Sequence, residues 1–302
     1  MTITKVTTAL AALTGSASDA TFRIWGKAWT DTMDALGLTQ VYSNIDWATV
    51  AVPTTGGAFA GKRVYSINDA LSSTREIYIC LEFGRGNTGT GSAYTRAAAF
   101  AIRVTVGRAH SAGTVSTDSF TNYVCMGSTT AAGEIIGYKT DAGIIVMSNA
   151  DFEAYQNSCI TVERVCDANG PTVDGVIVTL VGAAIDTASQ GGSTTTCSGL
   201  HCRAANFSTG QVYSGAAIVG TPTAFSWSGS GGATNPLHNN KIPVFQTLTW
   251  GDYQPMYQVV NAPVAVGPGK QFPATINGVT ATYRTLANVP THSSYVTGYR
   301  VA

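Results

Sequence analysis

The chain has 302 residues, 44% of them hydrophobic, and its 17 basic and 17 acidic side chains cancel. That is enough for one large or two ordinary domains with a sizeable core. Charged residues are only 11%, against about 25% in ordinary soluble domains, so strong electrostatic attraction to nucleic acid or anionic membrane is excluded.

The N-terminal stretch MTITKVTTALAALTGSASDA has one Lys and a short, Thr-broken apolar run. It lacks the basic and long apolar regions of a secretory signal, which predicts synthesis and folding in a cytoplasm. No window approaches the roughly 18 consecutive apolar residues of a membrane span. The next segment, SDATFRIWGKAWTDTMDALGL, reads as a helix. Phe22, Trp25, Trp29, Met33 and Leu36 recur at three- and four-residue spacing, which gives one apolar stripe. Ser18 or Asp19 can cap its start, and Gly37 suits the left-handed residue at its end. Gly26 weakens the helix by about 1 kcal/mol relative to Ala. The two Trp residues face either the chain's own sheet or a neighbouring subunit.

Beyond Leu38 short apolar runs alternate with Gly, Pro, Asn and Ser turns. Val41 to Val52 carries Trp47 as an anchor, and residues 53–57 read as a loop. A polar turn at Asn68 and Asp69 precedes a strand in which Ile77, Ile79, Leu81 and Phe83 point one way. Glu76, Tyr78, Cys80 and Glu82 point the other, the alternation of a half-buried strand. After the loop GRGNTGTG, Phe100, Ile102, Val104 and Val106 repeat the pattern, with Arg103 and Thr105 outside. Residues 133–148 read as a hairpin turning at 140–143. Ile160–Val165 and Val176–Val181 are strands joined by the turn DANGPTVDG. Residues 185–240 carry long Ser, Thr and Gly stretches that separate short β candidates such as Gly215 to Gly220, and read as surface loops or a small loop-rich subdomain. Strands resume from Ile242, with a tight turn at Asn277-Gly278.

The organisation expected is therefore mainly β. An antiparallel sandwich or barrel-like core carries one N-terminal amphipathic helix and a loop-rich insertion. Residues 1–38 form an arm and helix, 39–184 the β core and 185–240 the insertion, and 241–302 supply strands that complete the core.

Chemical motifs are sparse. In a reducing compartment Cys80, Cys125, Cys159, Cys166, Cys197 and Cys202 are expected free and buried. CSGLHC, from Cys197 to Cys202 with His201, has the shape of a metal half-site, but no second ligand pair lies near. A local disulfide or an inert loop are the other readings, and no metal and no cofactor are expected. GRGNTGTG follows a strand but lacks the helix start and the Gly-Lys-Ser/Thr of a phosphate loop. His110, His201, His238 and His292 stand at no catalytic spacing, and no G-x-S-x-G elbow occurs. Glu76, Glu82, Asp151 and Glu153 leave acidic pairs for glycosidase chemistry as the best enzyme alternative. No catalytic residue is assigned.

Three blocks carry a resemblance. The first is Tyr65-x-x-Asn68-Asp69-x-Leu71 and the strand ending Glu82-Phe83-Gly84. The second is Val162-Glu163-Arg164, Asp167, Gly170, then Asp174-Gly175-Val176. The third is Gly278-Val279 followed by Tyr283-Arg284-Thr285. With Leu36-Gly37-Leu38 and Asp46-Trp47, in this order, they are similar to structural proteins of tailed bacteriophages and prophages. One departure is Tyr65-Ser66-Ile67, where relatives have an aromatic pair and Arg; residues 185–240 match nothing in the family.

The resemblance implies a non-enzymatic virion subunit, assembled in the host cytoplasm and placed in the tail, tail tip or baseplate. Its partners would be copies of itself and other virion proteins. The alternatives are a receptor-binding, tail-fibre-like adsorption protein or a capsid decoration or neck protein. Trp25, Trp29, Trp47, Glu163 and Arg164 are the expected packing and assembly residues. Adjacent residues on a strand point to opposite faces, so only one of Glu163 and Arg164 is expected to face the core. Phe207, Tyr213, Phe225 and Trp227, interleaved with Ser and Gly, are the candidates for contact with a host glycan or surface protein.

Overall fold

The structure is a computed structural model. It describes residues 4–11, 18–85, 100–115, 120–126, 133–141, 143–150, 159–167, 170–182, 199–207, 211–214, 242–245, 249–253, 259–262, 271–276, 279–285 and 296–300. In chain order these give β1 (Thr4–Leu10), α1 (Asp19–Ala35), β2 (Thr39–Ser43), β3 (Phe59–Ser66), β4 (Tyr78–Arg85), β5 (Phe100–Gly107), β6 (His110–Ser111) and β7 (Thr114–Val115). There follow β8 (Phe120–Met126), β9 (Gly133–Thr140), β10 (Gly143–Ala150), β11 (Cys159–Asp167), β12 (Gly170–Gly182), β13 (Gly199–Asn206) and β14 (Gln211–Ser214). The last are β15 (Ile242–Phe245), β16 (Thr249–Tyr253), β17 (Val259–Ala262), β18 (Gln271–Ile276), β19 (Val279–Thr285) and β20 (Val296–Arg300).

The strands form antiparallel sheets. One has five strands in the order β2-β3-β4-β5-β8. A second has nine: the path β1-β9-β10-β11-β12-β13-β14, plus the pair β15–β16, which joins β11 through Cys166 and Asp252. The chain is thus mainly β with one helix, and among the described residues no sheet closes into a barrel. Between the two large sheets lies one continuous core. Ile79, Leu81, Phe83, Phe100, Ile102 and Val104 come from the five-stranded sheet, and Ile144, Val146, Ile160, Val162, Val176 and Val178 from the other. Strands β17–β20 form a separate four-stranded sheet, and β18 and β19 pair through Ile276 and Val279.

The helix begins at a reciprocal cap. Ser18 Oγ accepts from the Thr21 N–H, while Thr21 Oγ1 accepts from the Ser18 N–H, satisfying donors a helix start leaves open. It ends at Gly37, whose φ of +76° favours glycine. Its stripe of Phe22, Trp25, Trp29 and Met33 is buried in the shared core. Phe22 meets Phe100 edge-on at 5.4 Å, and Trp25 meets Phe83 at 5.9 Å. Thr32 on the other side donates to Thr8 of β1 at 2.7 Å. The helix therefore fills the wedge between the sheets.

Gly26 has a purpose that local propensity hides. The Trp47 ring lies directly on the helix backbone there, where a Cβ would stand 2.8 Å from Cζ2 and nearer still to Cζ3 and Cη2. Trp47 is buried and packs edge-on to Phe22 at 5.8 Å and to Phe83 at 4.9 Å.

Two expectations need correction. The turn read over DANGPTVDG is tighter. The β11–β12 hairpin closes at Asp167 and Gly170, and Pro171 to Gly175 belong to β12, across a register shift between Arg164 and Cys166. Pro171 sits beside that irregularity, where a missing backbone donor is tolerated. Second, the strands described within residues 185–240 lie at Gly199–Asn206 and Gln211–Ser214, whereas the β candidate expected at Gly215 to Gly220 lies outside the described residues. β13 pairs with β12 from Gly175–Asn206 to Gly182–Gly199, and β14 extends the sheet. Low hydrophobicity disguised a strand whose register is set by its neighbour.

Candidate functional site

The segment between β3 and β4 turns on itself. Asn68 adopts a φ of +52°, a left-handed conformation that Asn tolerates better than most residues. Asp69 then folds back on the chain: Oδ1 accepts from the Leu71 N–H at 3.0 Å, and its own N–H donates to Ser72 Oγ at 3.0 Å. The Ser72 hydroxyl lies within reach of Asp69 Oδ1 at 3.1 Å and Glu76 Oε1 at 2.9 Å, and the Ile77 N–H also donates to Glu76 at 3.0 Å. These short-range bonds build a rigid acceptor nest on the edge of the core.

Arg164 of β11 enters that nest from the opposite sheet. Nε donates to Asp69 Oδ2 at 2.6 Å and Nη2 to Asp69 Oδ1 at 2.9 Å, while Nη2 also donates to the Arg75 carbonyl at 2.8 Å. The two side chains are 0% and 1% exposed. Paired donors meeting both carboxylate oxygens make the strongest arrangement an ion pair can adopt, which burial demands because unpaired charge in the core costs several kcal/mol.

A second link lies beside it. Phe207, just after β13, is only 4% exposed and belongs to the core. Its N–H donates to the Asp174 carbonyl at 2.7 Å. Arg108 and Arg75 donate to its carbonyl at 2.8 and 3.3 Å, and their guanidiniums stand 5.4 and 5.8 Å from its ring, within cation–π range. Arg75 and Arg108 flank the five-stranded sheet, whereas Asp174 belongs to the nine-stranded one. Lys139 of β9 adds a third tie by donating to the carbonyls of Gly37 and Asn68 at 3.2 and 3.1 Å. Burial draws its ammonium below the usual lysine range, and Asp69 and Glu76 oppose that shift.

The predicted residues fall out as follows. Trp25, Trp29 and Trp47 lie in the chain's own core. Glu163 and Arg164 are both 0% exposed; Arg164 shares the face of Ile160 and Val162 that meets the shared core, and Glu163 lies on the opposite face, which is covered as well. Strands β10 and β11 are covered on both faces: Val146, Ile160 and Val162 are buried on one, and Ile145, Met147 and Thr161 on the other. The reading of Phe207 as a presented loop aromatic is also overturned, because its ring is engaged by two arginines inside the core. Tyr213 lies on β14, paired with Ala204. Phe225, Trp227, Cys197, His238, His292, Asp151 and Glu153 lie outside the described residues, as does most of GRGNTGTG.

His201 and Cys202 are neighbours on β13. Glu82 is salt-bridged to Arg103, and Glu76 is held in the nest. His110 stacks edge-on to Tyr78 at 4.7 Å. Among the described residues no group of three or more His, Cys, Asp or Glu side chains could hold a metal ion, and no helix is long and apolar enough to cross a membrane.

Sequence reasoning missed Asp69 as the partner of Arg164. The signal was present, since both lie in the blocks that carry the family resemblance, but nothing local joins residues 95 positions apart. Tyr65 of the first block is buried with its hydroxyl 3.5 Å from the Thr30 carbonyl of α1. Val162 and Val176 of the second block are core residues, and Asp174 supports Phe207. The arrangement can clamp two sheets. No family model and no curated protein matches this chain.

Proposed function

We infer that this chain is a non-enzymatic structural subunit of a tailed-bacteriophage virion, in the tail, tail tip or baseplate, acting through contacts with copies of itself and with other virion proteins. The observation that carries the reading is the Asp69–Arg164 pair. One charged residue from each of the two most distinctive blocks, Asp69 and Arg164, is engaged with the other and with backbone inside the core, which supports a scaffold role. The sparse, balanced charge of the chain supports the same reading, since a weakly charged surface suits packing among copies.

The test is immunogold labelling of intact particles with an antibody against residues 185–240, alongside peptide mass spectrometry of purified particles. Label along the tail or at its tip supports the reading. Label over the head or at the neck moves the subunit to a decoration or connector role. Absence of its peptides from purified particles overturns the virion assignment. Deleting residues 215–235, beyond β14, tests adsorption separately: assembled particles that no longer bind cells would make this segment a host-contact element.

A further inference from the structure

The nine-stranded sheet ends at β1, and among the described residues nothing pairs with the outer edge of that strand. Edge strands expose unpaired N–H and C=O groups, and proteins that avoid further pairing interrupt them with proline, bulges or charge. Some other margins of this protein carry such interruptions. β2 is bulged between Gln40 and Tyr42, β15 contains Pro243 and β18 contains Pro273. β1 has none of the backbone interruptions. Its seven residues pair with β9 without a shift, from Thr4–Lys139 to Leu10–Gly133. Thr4, Lys5, Thr7 and Ala9 are exposed, and only Leu10 is fully buried.

We propose that β1 is a homotypic docking edge: it pairs antiparallel with β1 of a second copy across a two-fold axis through Thr7, joining two nine-stranded sheets into one. The sequence Thr-Lys-Val-Thr-Thr-Ala-Leu is self-complementary in that register. Thr7 meets Thr7, Val6 meets Thr8, Lys5 meets Ala9 and Thr4 meets Leu10. The single charge of the strand, Lys5, therefore faces a methyl group and not its own copy, which avoids the like-charge opposition that destabilises cross-strand pairs. A two-fold contact of one patch with itself closes at two copies. The proposal deepens the assembly reading by naming one contact and its partner.

Ala9 offers a test in which folding and association respond in opposite directions. Within one copy Ala9 sits opposite Glu134, whereas in the proposed pair it sits opposite Lys5 of the other copy. Ala9→Lys therefore suits the isolated fold and places two Lys–Lys oppositions in the dimer. Ala9→Glu does the reverse. Sedimentation equilibrium of the full chain should show dimers that Ala9→Lys weakens about tenfold and Ala9→Glu tightens by several-fold. Lys5→Glu combined with Ala9→Lys exchanges the two charges and should tighten the dimer several-fold, as Ala9→Glu does.

Unfolding midpoints of the same variants check that each is folded. A wild-type chain that stays monomeric at several hundred micromolar overturns the proposal, and so does association indifferent to both substitutions. Failure here with the chain present in particles leaves the virion reading standing. A charge-sensitive dimer absent from particles removes the virion reading and leaves this contact.

Discussion

Replacing Gly26 by Ala sets two well-separated effects against each other. In an isolated helix the change is favourable by about 0.8–1.0 kcal/mol. Here the added methyl would lie 2.8 Å or less from three atoms of the Trp47 ring, while carbon atoms rest at about 3.5–4.0 Å. The ring must therefore retreat by about 1 Å or more. It cannot do so freely, because Phe22 and Phe83 hold it edge-on.

Overpacking of this kind costs about 1–3 kcal/mol, and each disturbed aromatic pair forfeits up to about 1 kcal/mol more. The net expectation is a loss of about 1–3 kcal/mol, or several degrees in the thermal midpoint for a chain of this size. Urea unfolding followed by tryptophan fluorescence measures it. The decisive comparison adds Trp47→Ala. In that background the clash is gone, and Gly26→Ala should become neutral or stabilising by up to about 1 kcal/mol. Stabilisation of the wild-type chain by Gly26→Ala, or the same effect in both backgrounds, would refute the contact as the reason for the glycine.

Three further outcomes are expected. Arg164→Met or Asp69→Asn alone should lower stability by about 3–5 kcal/mol, because each leaves a buried group without its partner, whereas the double variant should lose much less than the sum; additive urea-denaturation losses would show that the pair is not coupled. Burial first, and the Glu82 charge second, push the Cys80 thiol up to about 12 from an ordinary 9.0. The folded value lies above the unfolded one, so this contribution to stability is complete below about pH 9 and is lost as pH rises from about 9 to about 12. Iodoacetamide at pH 8 should spare Cys80 until the chain is unfolded, as read by peptide mass spectrometry, and native-state alkylation at the rate of a free peptide thiol would contradict its burial. Gly37→Ala should cost about 1 kcal/mol through the backbone alone, since a Cβ there meets nothing within 4 Å, and Ser18→Ala should cost a similar amount by removing the cap; thermal unfolding of both variants reads these losses.

What the sequence made legible was local. The stripe from Phe22 to Met33, the alternation from Ile77 to Phe83 and the hairpin of β9 and β10 each depend on residues close in the chain, so their periodicity survives without tertiary context. The rest depended on partners far away. Glu163 and Arg164 are both buried because β11 is covered on both faces, a condition that alternation along one strand does not reveal. β13 looked like loop because its own residues are small and polar, and its strand character comes from the long ladder with β12. Gly26 read as a weakness until Trp47, 21 positions later in the sequence, was placed on it. The clamp at Asp69 was the least visible, since Arg164 reads as a packing residue but nothing local joins it to an Asp 95 positions earlier.

That clamp also imposes a schedule on synthesis. The nest around Asp69 closes with residues no farther along than Ile77, so it can form soon after that stretch leaves the ribosome. Arg164 follows 95 residues behind Asp69. At about 5–20 residues per second the interval is about 5–20 seconds. During it the carboxylate stays hydrated and the nascent sheet keeps one flank open. The arginine is made late and must find a receptor already waiting, so a chain truncated before Cys159 can build the lock and never receives the key.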